Sequence, residues 1–257
     1  MRSSPTSTIE MPFRAILFDI GDTLWHGGNA PPAAEFRRMG AERAAAFLES
    51  RGITGLDPAT VARVAWDALE DAMRRARATD CVEPDYGEVA RHALAEIGLY
   101  LSRDQSAALL DAIYVSGVEG GKVPYPDARD VLLELRRRGF LLAVVTNRAF
   151  GGERFRADMR DCGFDIGWDA ESVSVEVGYL KPHPKLFQHA LGQLDVKPAE
   201  ALMVGNSLKE DIAGAQRLGI AAAWRRCAPD AEGVVPDYTF EELTELLEIP
   251  ELAGAAK

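Results

Sequence analysis

The stretch Ile16-Leu17-Phe18-Asp19-Ile20-Gly21-Asp22-Thr23-Leu24 changes from an apolar strand pattern to a turn pattern at Asp19. A carboxylate in this position lies at the end of a buried strand, where open α/β sheets place their ligand crevices. Asp also starts turns and caps helices, so this stretch alone does not define a site. Whether Asp19 belongs to a functional site therefore depends on the residues that other segments of the chain place near it.

The rest of the chain has a helical part followed by a part in which strands and helices alternate. Within residues 31–117, apolar positions recur at i, i+3, i+4 and i+7, which predicts successive helices packed as a bundle. These helices are predicted at 33–50, 61–76, 86–98 and 103–116.

A strand at 14–18 and the alternation after residue 127 predict a parallel sheet with right-handed crossovers. The later strands are predicted at 140–146, 173–175, 201–205, 220–224 and 238–240. The helices between and after them are predicted at 127–138, 153–162, 184–194, 211–218 and 241–247.

Composition and charge limit the class of function. Of the 257 residues, 47% are apolar and 27% charged, as in globular proteins with a sizeable core. The formal net charge of −11, without a basic run, predicts no binding to nucleic acid or to membranes. No apolar segment suits a signal peptide or a membrane span, and three widely spaced cysteines favour a reducing compartment. We expect a cytoplasmic protein, as a monomer or a homodimer.

Three later segments supply polar residues that suit a site around Asp19. They are Thr146-Asn147, Lys181-Pro182-His183-Pro184, and Gly205-Asn206-Ser207 followed by Asp211. Together with the Asp19 segment they resemble the motifs of the haloacid dehalogenase (HAD) superfamily, mostly phosphohydrolases that attack through an aspartate. The resemblance implies an α/β fold with a Rossmann-like three-layer core and a parallel sheet. An all-helical cap of four helices would be inserted after the first strand.

The resemblance also implies domain limits. Residues 13–28 and 118–257 would form the catalytic core, and residues 29–117 the helical cap that covers the site and selects the substrate. Residues 1–12 would be a flexible arm. Candidates for recognising the substrate are Trp25, His26, Arg37, Arg38 and Arg43.

By resemblance, Asp19 is the nucleophile that accepts the phosphoryl group, and Lys181 is the cation beside it. The phosphoryl-binding group would consist of Thr23, which also supports the turn, with Thr146 and Asn147. The family's acidic fourth motif implies Mg²⁺ as cofactor, because this hard cation takes oxygen ligands. Its ligands would be Asp19, the backbone carbonyl of Gly21, Asn206 and Asp211.

The chain departs from the family pattern at two positions. The usual first motif is Asp-x-Asp-x-Thr, and its second Asp protonates the leaving group and then activates water. Here that position is Gly21, and Asn206 replaces the first acid of the fourth motif. General acid–base catalysis contributes about 10²–10⁴-fold, so its loss slows a reaction without necessarily abolishing it. Asp22, one residue later, is the candidate for proton transfer.

Three functions are compatible with these residues. The first is a Mg²⁺-dependent phosphatase that acts on a small phosphorylated metabolite through an aspartyl-phosphate. The second is a metal-independent 2-haloacid dehalogenase, a branch that also lacks the second Asp. That branch usually has Tyr where this chain has Phe187, and Ser where it has Thr146. The third is a weakly active or inactive binding domain of the same fold.

Overall fold

The structure is a computed structural model that describes residues 13–227 and 233–253. The arm predicted at 1–12 lies outside the described residues. The strands are β1 (Ala15–Phe18), β2 (Trp25–His26), β3 (Val123–Pro124), β4 (Leu141–Thr146), β5 (Ala170–Val173), β6 (Ala201–Gly205), β7 (Ala221–Arg225) and β8 (Tyr238–Phe240). The α-helices are α1 (Ala33–Glu49), α2 (Pro58–Ala78), α3 (Tyr86–Glu96), α4 (Arg103–Ile113), α5 (Ala128–Arg137), α6 (Gly152–Asp161), α7 (Ser174–Val177), α8 (Pro184–Leu194) and α9 (Ala213–Gln216).

Six strands form one parallel sheet in the order β5-β4-β1-β6-β7-β8. Alternate residues of β1 face opposite sides, so that Ile16 and Phe18 enter one core cluster, and Ala15 and Leu17 another. Helices α5 and α6 contribute to the first cluster and α8 to the second. Because both faces are covered, every residue of β1 is buried, which explains its unbroken apolar sequence. The three-layer α/β core is confirmed.

The strand order contains a topological switch point, because later strands are added on both sides of β1. The chain passes from β1 to β4 on one side, and β6 later pairs with β1 on the other side. Because these strands are parallel, their carboxyl ends meet at the same edge. Asp19 follows β1, Thr146 ends β4 and Gly205 ends β6. Ligand crevices in open α/β sheets form at such a point.

Helices α1 to α4 pack together and have a core cluster of their own. α1 contacts α2 and α4, and α3 contacts the same two helices. Their buried residues include Phe47, Leu69, Leu94 and Leu109. Two of the helix starts follow from capping: Asp57 accepts hydrogen bonds from the first turn of α2, and Ser102 forms a capping box at α4. Among the described residues, none of the helices is both long and apolar enough to cross a membrane.

Some predicted elements differ in the structure. The strand predicted at 173–175 is wrong, because β5 ends at Val173 and the following residues form α7. The helix predicted at 211–218 starts earlier as a π-helical turn, Leu208–Ile212, where the Ser207 side chain accepts a hydrogen bond from Glu210 N. A 3₁₀ helix, Leu243–Glu248, stands in place of the last predicted α-helix. The antiparallel pair β2–β3 has two residues per strand, too short for a sequence period to predict.

Candidate active site

A cavity of about 980 Å³ lies at the carboxyl edge of the sheet, between β1, β4, β6 and the helices α1 and α2. The predicted site residues that line it are Asp19, Gly21, Asp22, Thr146, Asn147, Lys181, Asn206 and Asp211. Trp25 lines it as well. The three arginines of α1 that were candidates for recognising the substrate, Arg37, Arg38 and Arg43, do not line it. Arg38 pairs with Glu35 and Glu42, and Arg43 pairs with Glu119.

The ammonium of Lys181 is the centre of the site. Its Nζ lies 2.6 Å from Asp19 Oδ1 and 2.7 Å from Asp211 Oδ1, and donates a hydrogen bond to the carbonyl of Val145 at 2.7 Å. Burial alone lowers the pKa of Lys181, but the two carboxylates outweigh it and raise that pKa to about 12. Lys181 therefore stays charged. When both acids are ionised the trio carries one net negative charge, in a region where all three residues are buried.

Asp211 fills a space that only a glycine leaves open. Its Oδ2 accepts a hydrogen bond from the backbone N–H of Ser207 at 2.9 Å. A Cβ atom on Gly205 would lie 2.4 Å from the Asp211 carboxyl carbon, so no larger residue fits there without displacing the acid. Burial is the main cause that raises the pKa of Asp211, to about 6, against the opposing effect of Lys181.

Asn147 holds the loop of Lys181 rather than pointing a free amide into the cavity. Its Oδ1 accepts from Lys181 N at 2.7 Å, and its Nδ2 donates to Lys181 O at 3.2 Å and to Glu210 Oε2 at 3.1 Å. Because protein groups already engage both polar atoms of this side chain, the phosphoryl contact predicted for Asn147 would use its backbone N–H. Thr146 is buried beside it and lines the cavity.

Thr23 is predicted to bind the phosphoryl group and to support the turn. It is 0% exposed and is not among the residues that line the cavity. Its hydroxyl donates to Asp19 Oδ2 at 3.2 Å and lies 3.5 Å from Asn206 Oδ1. Thr23 thus fixes the Asp19 carboxylate, and brings the amide oxygen of Asn206 close to it.

In the turn after Asp19, the space beside Gly21 is empty and the side chain of Asp22 is exposed. A Cβ on Gly21 would meet no atom within 4 Å, and its φ lies outside the left-handed region. Asp22 has a φ of 55°, and its N–H donates to the carbonyl of Trp25 at 2.7 Å. Its side chain lines the cavity. The space left by the missing acid is therefore open, and Asp22 reaches the cavity from a different backbone position.

Two arginines that no sequence motif marks form hydrogen bonds to segments next to the site. Arg225 Nη1 donates to the carbonyls of Thr23 at 2.8 Å and Asp22 at 3.5 Å, and its guanidinium lies 3.2 Å from the centre of the Tyr125 ring. It therefore anchors the turn that carries the candidate nucleophile. Arg225 ends β7, where no motif marks it.

Arg148, directly after the second motif, joins a buried polar network. Its Nη2 donates to Asp158 Oδ2 at 2.5 Å and to the hydroxyl of Tyr114 at 2.9 Å. Asp158 also accepts from Gly117 N at 2.8 Å. The network connects the segment after α4 to the loop after β4, and only the tertiary fold brings its members together.

The oxygen atoms at the cavity provide part of the ligand set that a hard cation such as Mg²⁺ requires. Within 13–227 and 233–253, no three acidic, histidine or cysteine side chains converge as a metal cluster. The oxygen donors predicted for the ion are the Asp19 carboxylate, the Asn206 amide next to it across Thr23, the backbone carbonyl of Gly21 and the Asp211 carboxylate. All four residues line the cavity. Mg²⁺ is commonly held by one or two carboxylates, with substrate phosphate and water completing its shell. The residues present fit that pattern, with less charge than a set of three acids.

Comparison with known proteins decides the family. The sequence model described as haloacid dehalogenase-like hydrolase matches residues 13–219. The chain belongs to this family. The resemblance inferred from its motifs is therefore confirmed, and the helices α1 to α4 follow the first strand of a HAD fold.

Among the sequence relatives of this HAD-family hydrolase is the glyceraldehyde 3-phosphate phosphatase of Methanopyrus kandleri. It is 28% identical over 243 residues, which is 92% of this chain and 96% of that protein. The phosphoserine phosphatase of Thermus thermophilus is 36% identical over 124 residues, but this match spans 48% of the chain and 49% of that protein.

Two solved structures represent different reactions on the same fold. A HAD phosphatase from Thermococcus onnurineus is 26% identical with a TM-score of 0.58, covering 92% of this chain and 97% of that one. A 2-haloacid dehalogenase from Pseudomonas syringae pv. Tomato DC3000 is 25% identical with a TM-score of 0.63, covering 94% and 98%. The reaction has to be argued from the site, because the fold serves both.

Proposed function

We propose that this HAD-family hydrolase is a phosphatase that hydrolyses a phosphate monoester of a small metabolite through an aspartyl-phosphate on Asp19. The observation that carries the proposal is the Asp19 carboxylate at the cavity, held by Lys181 at 2.6 Å on one oxygen and Thr23 at 3.2 Å on the other. The relatives named as phosphatases support it. The proposed cap, residues 29–117, is supported by the separate core of its four helices.

The proposed reaction has two steps. In the first, an Asp19 oxygen attacks phosphorus, an acyl-phosphate bond forms, and the bond to the leaving-group oxygen breaks. Lys181 stabilises the negative charge on the phosphoryl oxygens from a buried position, where an ammonium acts more strongly than in water. In the second step water attacks phosphorus and releases phosphate, leaving Asp19 as a carboxylate again. Thr146, on the cavity wall, supplies a hydroxyl to a phosphoryl oxygen.

We propose Mg²⁺ as the cofactor, held by the Asp19 carboxylate, the Gly21 carbonyl, the Asn206 amide and the Asp211 carboxylate, which also pairs with Lys181 at 2.7 Å. When bound, Mg²⁺ supplies positive charge that offsets the charge of the phosphoryl group. An amide in place of a carboxylate lowers the electrostatic attraction for the ion, so the affinity for Mg²⁺ is expected to be weak.

For proton transfer, the chain lacks the acid that the family usually has at position 21. Gly21 has no side chain, and Asp22 is the acid that reaches the cavity from the same turn. We propose that Asp22, through water, protonates poor leaving groups and assists the water of the second step. Both steps should be slower than with an acid at position 21.

Dehalogenation is the second candidate. The absence of an acid at Gly21 favours it, because a departing halide needs no proton. The similarity to the solved 2-haloacid dehalogenase also favours it. Against it, Phe187 occupies the position of the usual Tyr, and its ring is buried in the sheet core rather than on the cavity wall.

One assay series separates the candidates. The purified protein is incubated with acetyl phosphate, 4-nitrophenyl phosphate and 2-chloropropionate, with and without Mg²⁺, beside Asp19→Asn. The exposed, distant Asp130→Asn serves as the matched control. We expect Mg²⁺-stimulated release of phosphate that Asp19→Asn abolishes and Asp130→Asn does not. Metal-independent chloride release would assign the dehalogenase reaction, and no turnover by the folded protein would favour a binding domain.

A further inference from the structure

We infer that the leaving group of the substrate carries an uncharged planar aromatic ring, which the cap side of the cavity binds. This inference rests on the phosphatase function proposed above and specifies its substrate class. The inferred binding surface is the part of the cavity wall that carries aromatic side chains. Aromatic side chains from several segments meet there: Phe36 from α1, Trp66 from α2, Tyr114 after α4 and Phe150 after β4.

These rings contact one another in one apolar cluster, in which two of the rings are nearly parallel. Trp66 and Phe150 are inclined by only 14°, with their ring centres 6.1 Å apart. Phe36 meets Trp66 edge-on at 6.2 Å, and Tyr114 lies against Phe150 at 4.5 Å. Trp66, Phe150 and Phe36 are only partly buried, although each is large and apolar. Partly exposed aromatic rings grouped in a concave site are a common feature of ligand-binding pockets.

Helix α2 extends the same surface. Trp66, Leu69 and Met73 are spaced by three and four residues, which places them on one helix face, and all three line the cavity. Val115 lies on this wall as well. A ring stacked on Trp66 or Phe150 would thus be bounded by aliphatic side chains.

The charges on the wall argue against a second anionic group on the substrate. Arg74 is paired with Asp71, Arg77 lies 3.6 Å from Glu210, and Arg148 is held by Asp158. Among the described lining residues outside the motif segments, the other cation is Lys122, which is exposed. Since these three guanidinium groups already face carboxylates, the side of the cavity away from Lys181 suits a neutral group better than a carboxylate or a second phosphate.

The volume of the cavity also favours a substrate that carries a ring. About 980 Å³ is near the upper end of the ~300–1,000 Å³ that is usual for pockets of drug-sized ligands. A three-carbon phosphate ester would leave the aromatic wall in contact with water. Lys181 and Trp66 line the same cavity, which is consistent with one ester that contacts both.

The test compares 2-phenylethyl phosphate with propyl phosphate, in which a methyl group replaces the phenyl ring. Both have primary alcohols as leaving groups. Acetyl phosphate reports the chemical step without a ring. Because removing an aromatic ring from water is favourable, we expect kcat/KM to be at least about tenfold higher for the phenylethyl ester. Trp66→Ala and Phe150→Ala should each reduce that ratio about threefold or more, and the milder Trp66→Leu and Phe150→Leu should reduce it in the same direction.

Tyr100→Ala is the control, because Tyr100 is an aromatic residue of the helical part that is 82% exposed and lies away from the cavity. It should leave the ratio unchanged. A ratio near one, or equal ratios in wild type and the leucine variants, with acetyl phosphate still hydrolysed, would overturn the ring inference and leave the phosphatase proposal standing. No hydrolysis of any of the three compounds by folded protein would overturn both.

Discussion

Lys181 Nζ lies 2.6 Å from Asp19 Oδ1, although the two residues are 162 positions apart in the chain. The same nitrogen lies 2.7 Å from Asp211, so a single buried cation joins the turn after β1 to the π-helical turn after β6. This relationship gives the site its charge balance: two acids share one ammonium, and a phosphoryl group would meet a cation whose position is already fixed.

Replacing Lys181 by Met should abolish turnover and destabilise the fold. The change removes the cation and leaves two buried carboxylates facing each other, and breaking a buried ion pair costs about 3–5 kcal/mol. Urea denaturation measures the free energy of unfolding of this variant beside Lys197→Met, which alters an exposed lysine away from the cavity. An unchanged free energy of unfolding in Lys181→Met would contradict the proposed charge balance.

Replacing Gly21 by Asp should raise the turnover of alkyl phosphates. A side chain fits here because nothing lies within 4 Å of the added Cβ. General acid–base groups contribute about 10²–10⁴-fold, so even imperfect placement should give about tenfold. Gly21→Asn, which adds the same volume without an acid, is the matched control. Equal rates in the Asp and Asn variants would show that proton transfer does not limit the reaction.

Replacing Asp22 by Asn should lower turnover more than about tenfold for alkyl phosphates, and much less for 4-nitrophenyl phosphate. The difference is expected because nitrophenolate leaves without being protonated. Steady-state kinetics with both esters measures it. Since the backbone at Asp22 has a positive φ, which Asn tolerates, the substitution should preserve the turn. Wild-type rates with both esters would remove Asp22 from the mechanism.

Replacing Asn206 by Asp should lower the Mg²⁺ concentration for half-maximal activity by about tenfold or more, because the change adds a negative charge beside Asp19. The measurement is a Mg²⁺ titration of phosphatase activity. Asn29→Asp, at an exposed position outside the cavity wall, is the control for a general effect of charge. The same half-maximal concentration in both variants would exclude Asn206 from the metal site.

Much of this fold is predictable from the sequence, because its strands are buried on both faces and read as continuous apolar runs. The predicted ends of strands 201–205 and 238–240 match β6 and β8, and the helix 184–194 matches α8. The pair β2–β3 and the end of β5 were not predicted. Strands of two residues have no period to detect, and Glu171 interrupts the apolar run of β5.

The candidate site is predictable in position but not in detail. The four segments place Asp19, Lys181 and Asp211 within one cavity, as parallel strand topology requires. The bonding of Thr23 and Asn147 depends on which neighbours the tertiary fold supplies, so a motif cannot show that both are engaged by protein groups. Arg225 and Asp158 form their contacts across long sequence separations and carry no local pattern.

The central claim is that Asp19 carries the phosphoryl group, and trapping that group tests it most directly. With 4-nitrophenyl phosphate the first step needs no acid, whereas the second lacks the base that position 21 would supply, so the intermediate should accumulate. The reaction is quenched in acid within the first turnover and the peptide containing Asp19 is analysed by mass spectrometry. We predict one phosphoryl group on Asp19 in the wild-type protein and none in Asp19→Asn. An unmodified Asp19 during continuing turnover of the ester would contradict the account.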